Sequence, residues 1–320
     1  MAEATLRTAP LDKARVLQWL QTYGVYAGVA ALLVVNTVIT PHFLSAENFR
    51  TQAVQVAPVI IVALGMALVI GTEGVDLSVG AVMALAASVT ALYLGYGLLP
   101  ALLVVALFAA GVGLANGALV ALVGVQPIVA TLALMVGGRG IALVLLPQLK
   151  DLRNPTLGSL GSGDLFGFPY LILIAAALAV LLAFVMRRTT FGRQVVAVGG
   201  NRSAAALAGL PVKRVLIGVY VICGVLAALA GILATARLTA SDPSSLGTLM
   251  ELSAITAVVV GGTPLNGGSV RVLGTVAGAL LMQLLRATLV KHDLPDSTAQ
   301  IAQAAIIIAA VYVARERRSR

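Results

Sequence analysis

Long runs of apolar residues, separated by short polar stretches, occupy most of the chain. A bilayer core about 30 Å thick needs about 20 apolar residues per helical span. The pattern predicts an all-α polytopic membrane protein of ten transmembrane helices: Val16 to Ile39, Ala53 to Ile70, Val79 to Leu94, Leu98 to Val123, Pro127 to Leu146, Phe168 to Met186, Val215 to Leu238, Leu249 to Val260, Val272 to Val290 and Ile301 to Ala314. The eighth span is short.

The composition agrees with that pattern. Of the 320 residues, 60% are hydrophobic and 10% are charged, whereas soluble domains have about 25% charged residues. A separate soluble catalytic domain therefore has no room. The only cysteine, Cys223, lies inside an apolar run, so we expect neither a disulfide nor a thiolate metal cluster within one chain.

The net charge of +9 sits in basic stretches beside apolar segments, which indicates membrane orientation rather than nucleic-acid binding. These stretches are the N-terminal segment, the loop Arg187 to Arg214 and the tail Arg315 to Arg320. Because cytoplasmic loops gather Lys and Arg, an even number of spans places all three, and both termini, in the cytoplasm. The predicted organisation is a cytoplasmic segment 1–15, a transmembrane domain 16–314 with a cytoplasmic loop 187–214, and a basic cytoplasmic tail 315–320.

Sequence signatures of catalysis and metal binding are missing. No G-x-x-x-x-G-K-[ST] phosphate loop occurs, so any ATP must be hydrolysed by a partner. The isolated His42 and His292 favour solvated loop positions over metal ligation, and no G-x-S-x-G motif indicates a nucleophile. We therefore predict no catalytic residue, no metal and no cofactor in this chain.

Polar residues within or beside the predicted spans are candidates for a translocation pathway, because a charge in hydrocarbon is costly unless it faces a cavity or a partner. Arg139 is the deepest of the ionisable ones, and Glu251 is equally well explained as a helix cap. The uncharged ones can also hold helices together. The candidate pathway consists of Asp76, Ser78, Asn116, Thr131, Arg139 and Glu251.

Further polar side chains have simpler explanations. Gln283 offers hydrogen bonds suited to a sugar or to helix packing, and Arg237 and Arg286 lie near outer helix ends where they can snorkel. Asp76 can cap a helix that starts near Ser78, in a turn at the cytoplasmic mouth of the pathway.

Two segments, 69–86 and 259–280, share a weak similarity in which an apolar helix, a glycine-rich turn and a small-residue helix follow one another. Glycine-interrupted pairs in corresponding places are typical of a transport pathway. Both turns are predicted to lie on the cytoplasmic side.

The loop Arg187 to Arg214 carries six basic residues and no acidic one. Asn201 or Ser203 can cap a short helix there, and Gly209 with Pro211 can end it. A capped, exposed helix suits docking to a groove on a soluble partner. The alternative is that the arginines only fix topology.

Four motifs, taken in order, resemble the permease subunits of bacterial monosaccharide ABC importers of the ribose, xylose and galactose group: GVDLSVGAVMAL, QPIVATLALMVGGRG, FGRQVVAVGGNRSAAALAGLPV and ELSAITAVVVGGTPLNGG. The resemblance runs from about Ala53 to the last span. Within the group, two stretches are most similar to one permease of the galactofuranose importer: VAPVIIVALGMALVIGTEGVDLSVGAVMA and QPIVATLALMVGGRG.

This resemblance implies a helical permease in the bacterial inner membrane, paired with an identical or related second permease. A periplasmic binding protein would deliver the sugar, and a cytoplasmic ABC ATPase subunit, which binds ATP and Mg, would drive import. By position, the resemblance also implies an ATPase-coupling helix that contains Asn201, Arg202, Ser203, Ala204, Ala205, Gly209 and Leu210. The sequence departs from the family at Glu73, where a glycine is usual, and at Ala133 and Leu134, where Gly-Thr is frequent.

The predicted function is therefore import of a monosaccharide, galactofuranose or a related sugar, without covalent chemistry in this chain. The expected partners are the ATPase, the second permease, the binding protein and the lipid bilayer, with no nucleic acid. An ion- or proton-coupled secondary sugar transporter, with Asp76 and Glu73 as coupling acids, is the alternative, and a membrane scaffold is a third interpretation.

Overall fold

The computed structural model describes the backbone of residues 13–315 and the side chains of 23–295 and 297–308. Most of the predicted segment 1–15 and of the tail 315–320 lies outside the described residues. The helices are α1 (Lys13–Ile39), α2 (Ala46–Gly71), α3 (Val79–Tyr93), α4 (Leu98–Ala118), α5 (Pro127–Leu145), α6 (Pro155–Ser162), α7 (Tyr170–Arg188), α8 (Thr190–Gly200), α9 (Arg202–Leu207), α10 (Val212–Leu238), α11 (Met250–Val260), α12 (Val272–Lys291) and α13 (Asp296–Arg315).

Two short antiparallel ribbons complete the fold. They pair β1 (Lys150–Asp151) with β4 (Ala240–Ser241), and β2 (Asp164–Leu165) with β3 (Phe168–Pro169). The helices dominate, as the apolar pattern predicts.

Among the described residues, seven helices are long and apolar enough to cross a membrane, namely α2, α3 with the turn after it, α4, α5, α7, α10 and α12. Three shorter apolar helices lie at Tyr23–Ile39, Met250–Val260 and Ser297–Ile308. All of these fall on predicted spans. The all-helical membrane fold is confirmed, while the number of crossings remains a prediction.

The centre of the bundle is formed by α2, α3 and α10, most of whose residues are buried. By contrast, α4, α5 and α7 turn apolar side chains outward, including Leu107, Val144 and Val180. Such a ring of exposed apolar surface is stable against lipid tails but costly against water. The outer helices are therefore suited to face the bilayer, whereas α2, α3 and α10 form the core.

The two ends of the bundle differ. Helices α8 and α9, between α7 and α10, carry most of the loop Arg187 to Arg214, and we name this the basic end. Helix α6 packs with Leu157 against Ala236 near the opposite end of α10, which we name the far end.

Two helices, α3 and α11, begin inside the bundle. Gly80 in the first turn of α3 packs directly against the carbonyl of Gly247, in the loop just before α11. From this meeting point α3 runs to the far end, where Ala91 joins the cluster with Ala236, and α11 runs to the basic end. The 11 residues of α11 span only about 16 Å at 1.5 Å per residue, which explains why the eighth span is short.

Candidate functional site

Asp76, Ser78 and Asn116 form one buried hydrogen-bond network. The backbone N–H and the hydroxyl of Ser78 donate to Asp76 Oδ1 at 2.9 and 2.6 Å, and Asn116 Nδ2 donates to Ser78 Oγ at 2.9 Å. Helix α3 starts at Val79, close to the predicted start near Ser78. Its N-cap residue is Ser78 and not Asp76 as predicted, because Asp76 accepts its hydrogen bonds from Ser78 itself. The network thus joins the turn between α2 and α3 to α4.

This network lies well inside the bundle. Asp76 is 1% exposed and interacts with Cys223, which is about 16 Å along α10 from its start. The carboxylate is therefore not at the mouth of a pathway, which corrects the position expected from the sequence. The reason is that the chain turns back between α2 and α3, so that Gly74 packs beneath the hydroxyl of Tyr220.

Thr131 is also fully buried. Its hydroxyl lies 2.9 Å from the carbonyl oxygen of Pro127 and 3.4 Å from that of Val75. It thereby connects α5 to the same turn that carries Asp76. In this conformation these contacts are packing contacts between helices.

Arg139 and Glu251 lie beside the loop 239–249, and the Glu251 carboxylate packs against Gly80 in the first turn of α3. None of the hydrogen bonds described above joins them to the network of Asp76. Arg139 Nη1 donates to the carbonyls of Pro243 and Leu246 at 2.8 and 2.7 Å. Glu251 lies in the first turn of α11, where a negative charge is favoured by the helix dipole, and it attracts Arg139 electrostatically. The six candidate residues therefore form two groups rather than one site.

The loop is also fixed by Asp242. The hydroxyls of Ser244 and Ser245 donate to its carboxylate at 2.5 and 2.6 Å, and these bonds lower the pKa of Asp242 below its ordinary value. Because the folded pKa is depressed, the stabilisation is present above the unfolded pKa and is lost as pH falls through the folded pKa. Water screens this partly exposed carboxylate, so the effect on stability is small.

We expect Arg139→Met to loosen the loop before α11. The substitution leaves the carbonyls of Pro243 and Leu246 without their charged donor, and hydrogen bonds to charged groups contribute about 1.5–3 kcal/mol each. The thermal unfolding midpoint of the detergent-solubilised protein should fall, and proteolysis in the loop should speed up. Arg153→Met, an exposed arginine at the far end, is the control; equal effects of the two variants would contradict the anchoring role of Arg139.

A cavity of about 540 Å³ opens among α2, α10, α12 and the loop before α11. Its size falls within the range of about 300–1,000 Å³ usual for small-molecule sites. None of the six candidate residues lines it. Its polar lining comprises Gln55, Arg237, Ser245, Thr248, Gln283, Arg286 and Lys291. The sequence analysis named three of these residues, Arg237, Gln283 and Arg286, each for a separate reason. It could not predict that they line one cavity, because they come from helices far apart in the chain.

Helix α9 is the short capped helix that the sequence predicts. Asn201 Oδ1 accepts a hydrogen bond from the Ala204 N–H at 2.9 Å, and Gly209, with φ of 78°, follows its end. Ala205 is buried, whereas Leu207 is 91% exposed. The helix is therefore anchored on one side and presents an apolar residue on the other.

A second cavity, of about 670 Å³, lies beside α9. Arg202, Ser203 and Leu210, all candidates from the sequence, line it together with Val120 from the end of the α4 segment. Arg202 Nη2 also donates to the carbonyl of Thr72 at 3.3 Å. This surface is suited to a protein contact at the basic end.

Helix α8 is joined to the two glycine-rich turns through backbone contacts. The N–H of Gly268 donates to the carbonyl of Gly71 at 3.1 Å, and Gly199 packs so closely against that carbonyl that a Cβ would overlap its oxygen. The two segments that resemble each other in sequence therefore meet at their turns. Helix α8 is therefore in direct contact with the end of α2 and with the turn between α11 and α12.

Glu73, which replaces the usual glycine, adopts a left-handed conformation with φ of 64°. This backbone costs an L-residue about 1–2 kcal/mol. We expect Glu73→Gly to raise the free energy of unfolding by up to about 1 kcal/mol, since relief of strain outweighs the entropy that glycine loses on folding. Thermal unfolding measures it, with Glu73→Gln as the control: a similar gain for glutamine would assign the effect to charge instead of backbone.

Comparison with known proteins identifies the class. Residues 48–311 match the family described as branched-chain amino acid transport system / permease component, and the chain belongs to this family of membrane transport permeases. It is 37% identical to the galactofuranose transporter permease protein YtfT of Escherichia coli K12, over 90% of this chain and 89% of that protein. The motif resemblance is thereby confirmed.

Two further relatives extend the comparison. The chain is 35% identical to the ribose import permease protein RbsC of Escherichia coli K12, over 92% of this chain and 94% of that protein. It is 30% identical to the L-arabinose ABC transporter permease protein AraH of Azospirillum brasilense, over 95% and 90%. No solved structure matches the chain.

Proposed function

We propose that the chain is a permease subunit of an ATP-binding cassette importer that translocates a monosaccharide, galactofuranose or a related sugar, across the bacterial inner membrane. The observation that carries this proposal is that relatives matched along nearly their whole length are named as permeases for galactofuranose, ribose and L-arabinose. The exposed helix α9 adds a surface suited to a driving partner. The chain itself performs no covalent chemistry.

The proposed orientation places the basic end in the cytoplasm, in accordance with the positive-inside rule. The chain then crosses ten times, with both termini cytoplasmic and with α3 and α11 entering the bundle from its centre. The far end faces the periplasm, where a binding protein delivers the sugar. A second permease, identical or related, completes the transmembrane unit.

In this arrangement α9 is the coupling helix. Its exposed residue Leu207 enters a cleft of the ATPase, which binds ATP and Mg²⁺. ATP binding shifts the bundle between its two orientations only if the ATPase contacts α9 differently in its two states. The contacts of Arg202 with Thr72 and of Gly199 with Gly71 support this role, because they tie α8 and α9 to the central helix α2.

The alternative of an ion-coupled secondary transporter is less favoured. Asp76 is held by Ser78 in a buried network and lines neither of the cavities described above. Glu73 is exposed at the basic end of α2. A coupling acid has to reach both sides of the membrane in turn, and neither residue is placed on a visible route.

The test is uptake by the chain reconstituted in proteoliposomes with its ATPase, its second permease and its binding protein. We expect accumulation of one or a few monosaccharides from a panel only when ATP is supplied on the ATPase side. Uptake driven by a proton or sodium gradient without ATP would refute the importer and support the secondary transporter.

A further inference from the structure

Basic side chains line part of the 670 Å³ cavity beside α9. Lys213 and Arg214 come from the first turn of α10, and both are exposed. Arg202 of α9 lines the cavity too, but it also donates to the carbonyl of Thr72. Among the described residues, the side chains of Lys213 and Arg214 have no hydrogen-bonded or ion-paired partner, and no acidic residue lines the cavity. This positive charge is therefore available to attract an anion.

Much of the remaining lining is apolar. Val120 and Ala121, from the end of the α4 segment, contribute to it together with Leu216 of α10. The next two residues of the chain, Leu122 and Val123, are 58% and 69% exposed. They continue the exposed apolar surface of α4, which is stable against lipid tails and costly against water. The cavity therefore lies where an apolar outer surface meets unpaired cations.

We propose that this cavity binds an anionic phospholipid, with the phosphate against Lys213 and Arg214 and an acyl chain along the end of the α4 segment. A guanidinium group matches a phosphate with paired hydrogen bonds, and an ammonium group adds a point charge. Basic pockets beside transmembrane helices suit such head groups at the cytoplasmic surface, where the proposed orientation places this end. The inference requires that the chain spans a membrane, but not a particular transported solute.

A segment of the ATPase is the competing occupant, because α9 is proposed to enter a cleft of that protein. The side of α9 that lines the cavity carries Arg202 and Ala206, whereas the exposed Leu207 is outside the lining. The ATPase contact through Leu207 therefore leaves the cavity free for another ligand. An acidic protein segment would use the cations alone, whereas a phospholipid also uses the adjoining apolar surface of Leu122 and Val123.

The experiment titrates the purified, delipidated full chain in detergent with phosphatidylglycerol or with phosphatidylcholine of the same acyl chains, and native mass spectrometry measures the bound lipid. We expect phosphatidylglycerol to bind at least about tenfold more tightly, because each Lys or Arg near an anionic lipid strengthens the attraction. The double substitution Lys213→Gln and Arg214→Gln should remove most of this preference and leave phosphatidylcholine binding unchanged. Leu122→Ser, in the proposed path of the acyl chain, should weaken both lipids to a similar degree.

Arg187→Gln together with Arg188→Gln is the matched control. These two arginines are exposed at the same end of the bundle and lie outside the lining of the cavity, so their loss removes the same charge and should keep the full preference. Both double variants should retain the thermal unfolding midpoint of the parent. Equal affinity for the two lipids, an equal loss in the two double variants, or inorganic phosphate competing as well as phosphatidylglycerol would each overturn the proposal.

Addition of the ATPase decides between the two occupants. We expect the bound phosphatidylglycerol to stay in place, whereas its displacement would assign the cavity to the protein contact and refute the lipid site. The lipid titration contains no sugar, no ATP and no ATPase. Its failure therefore leaves the importer proposal standing, and failure of ATP-driven uptake leaves the lipid site standing.

Discussion

Gly199→Ala is expected to destabilise the protein by at least about 3 kcal/mol, at the upper end of the usual cost of overpacking. A Cβ at this position would overlap the carbonyl oxygen of Gly71. That carbonyl is the end of α2 and also accepts the N–H of Gly268, so it cannot move aside without breaking a second contact. Thermal unfolding and the yield of detergent-stable protein measure the loss.

The adjacent Gly200→Ala is the matched control. A Cβ at Gly200 would meet nothing within 4 Å, and alanine favours a helix over glycine by about 1 kcal/mol. We therefore expect this variant to be as stable as the parent or slightly more so. If Gly199→Ala is equally well tolerated, the close contact between α8 and α2 does not exist.

The helices were predictable because lipid imposes a simple rule on the chain. Apolar runs of the length of a bilayer must form helices, and the long helix α10 at Val212–Leu238 lies on the run predicted from Val215 to Leu238. Helix α9 was predictable for a different reason, since Asn201 and Gly209 are local signals that act through their own backbone neighbours.

The depth of Asp76 was not predictable in this way. An acid that follows an apolar run is expected at a membrane surface, but here the turn folds back until Asp76 lies beside Cys223. That path depends on the small residue Gly74 fitting against Val69 and Tyr220. Only the packed bundle determines this fit.

The 540 Å³ cavity could not be predicted from the sequence for a similar reason. Its members Gln55, Arg237 and Gln283 come from three helices, and each has an ordinary explanation when taken alone. Periodicity assigns a residue to a helix face, but it does not state which helices face one another. The pathway candidates chosen from the sequence were polar residues within or beside predicted spans, and several of them, including Ser78, Asn116 and Thr131, make hydrogen bonds between packed segments.

Leu207→Asp is expected to abolish ATP-driven uptake, with a loss of more than about tenfold, while the permease remains folded. Leu207 is 91% exposed, so its removal costs the isolated chain little, and an acid near the end of a helix is unfavourable by at most about 1 kcal/mol. Inside a cleft of the ATPase, however, a buried aspartate would remain charged and unpaired, which costs several kcal/mol.

Co-purification of the ATPase with the variant measures that contact directly, and uptake in proteoliposomes measures its consequence. Phe166→Asp is the matched control, since Phe166 is 93% exposed but lies at the far end; it should leave ATPase binding unchanged. Full ATPase binding and uptake by Leu207→Asp would show that α9 does not enter the cleft, and the alternative that the basic loop only fixes topology would then be preferred. A loss of binding in both variants would instead indicate general damage to the bundle.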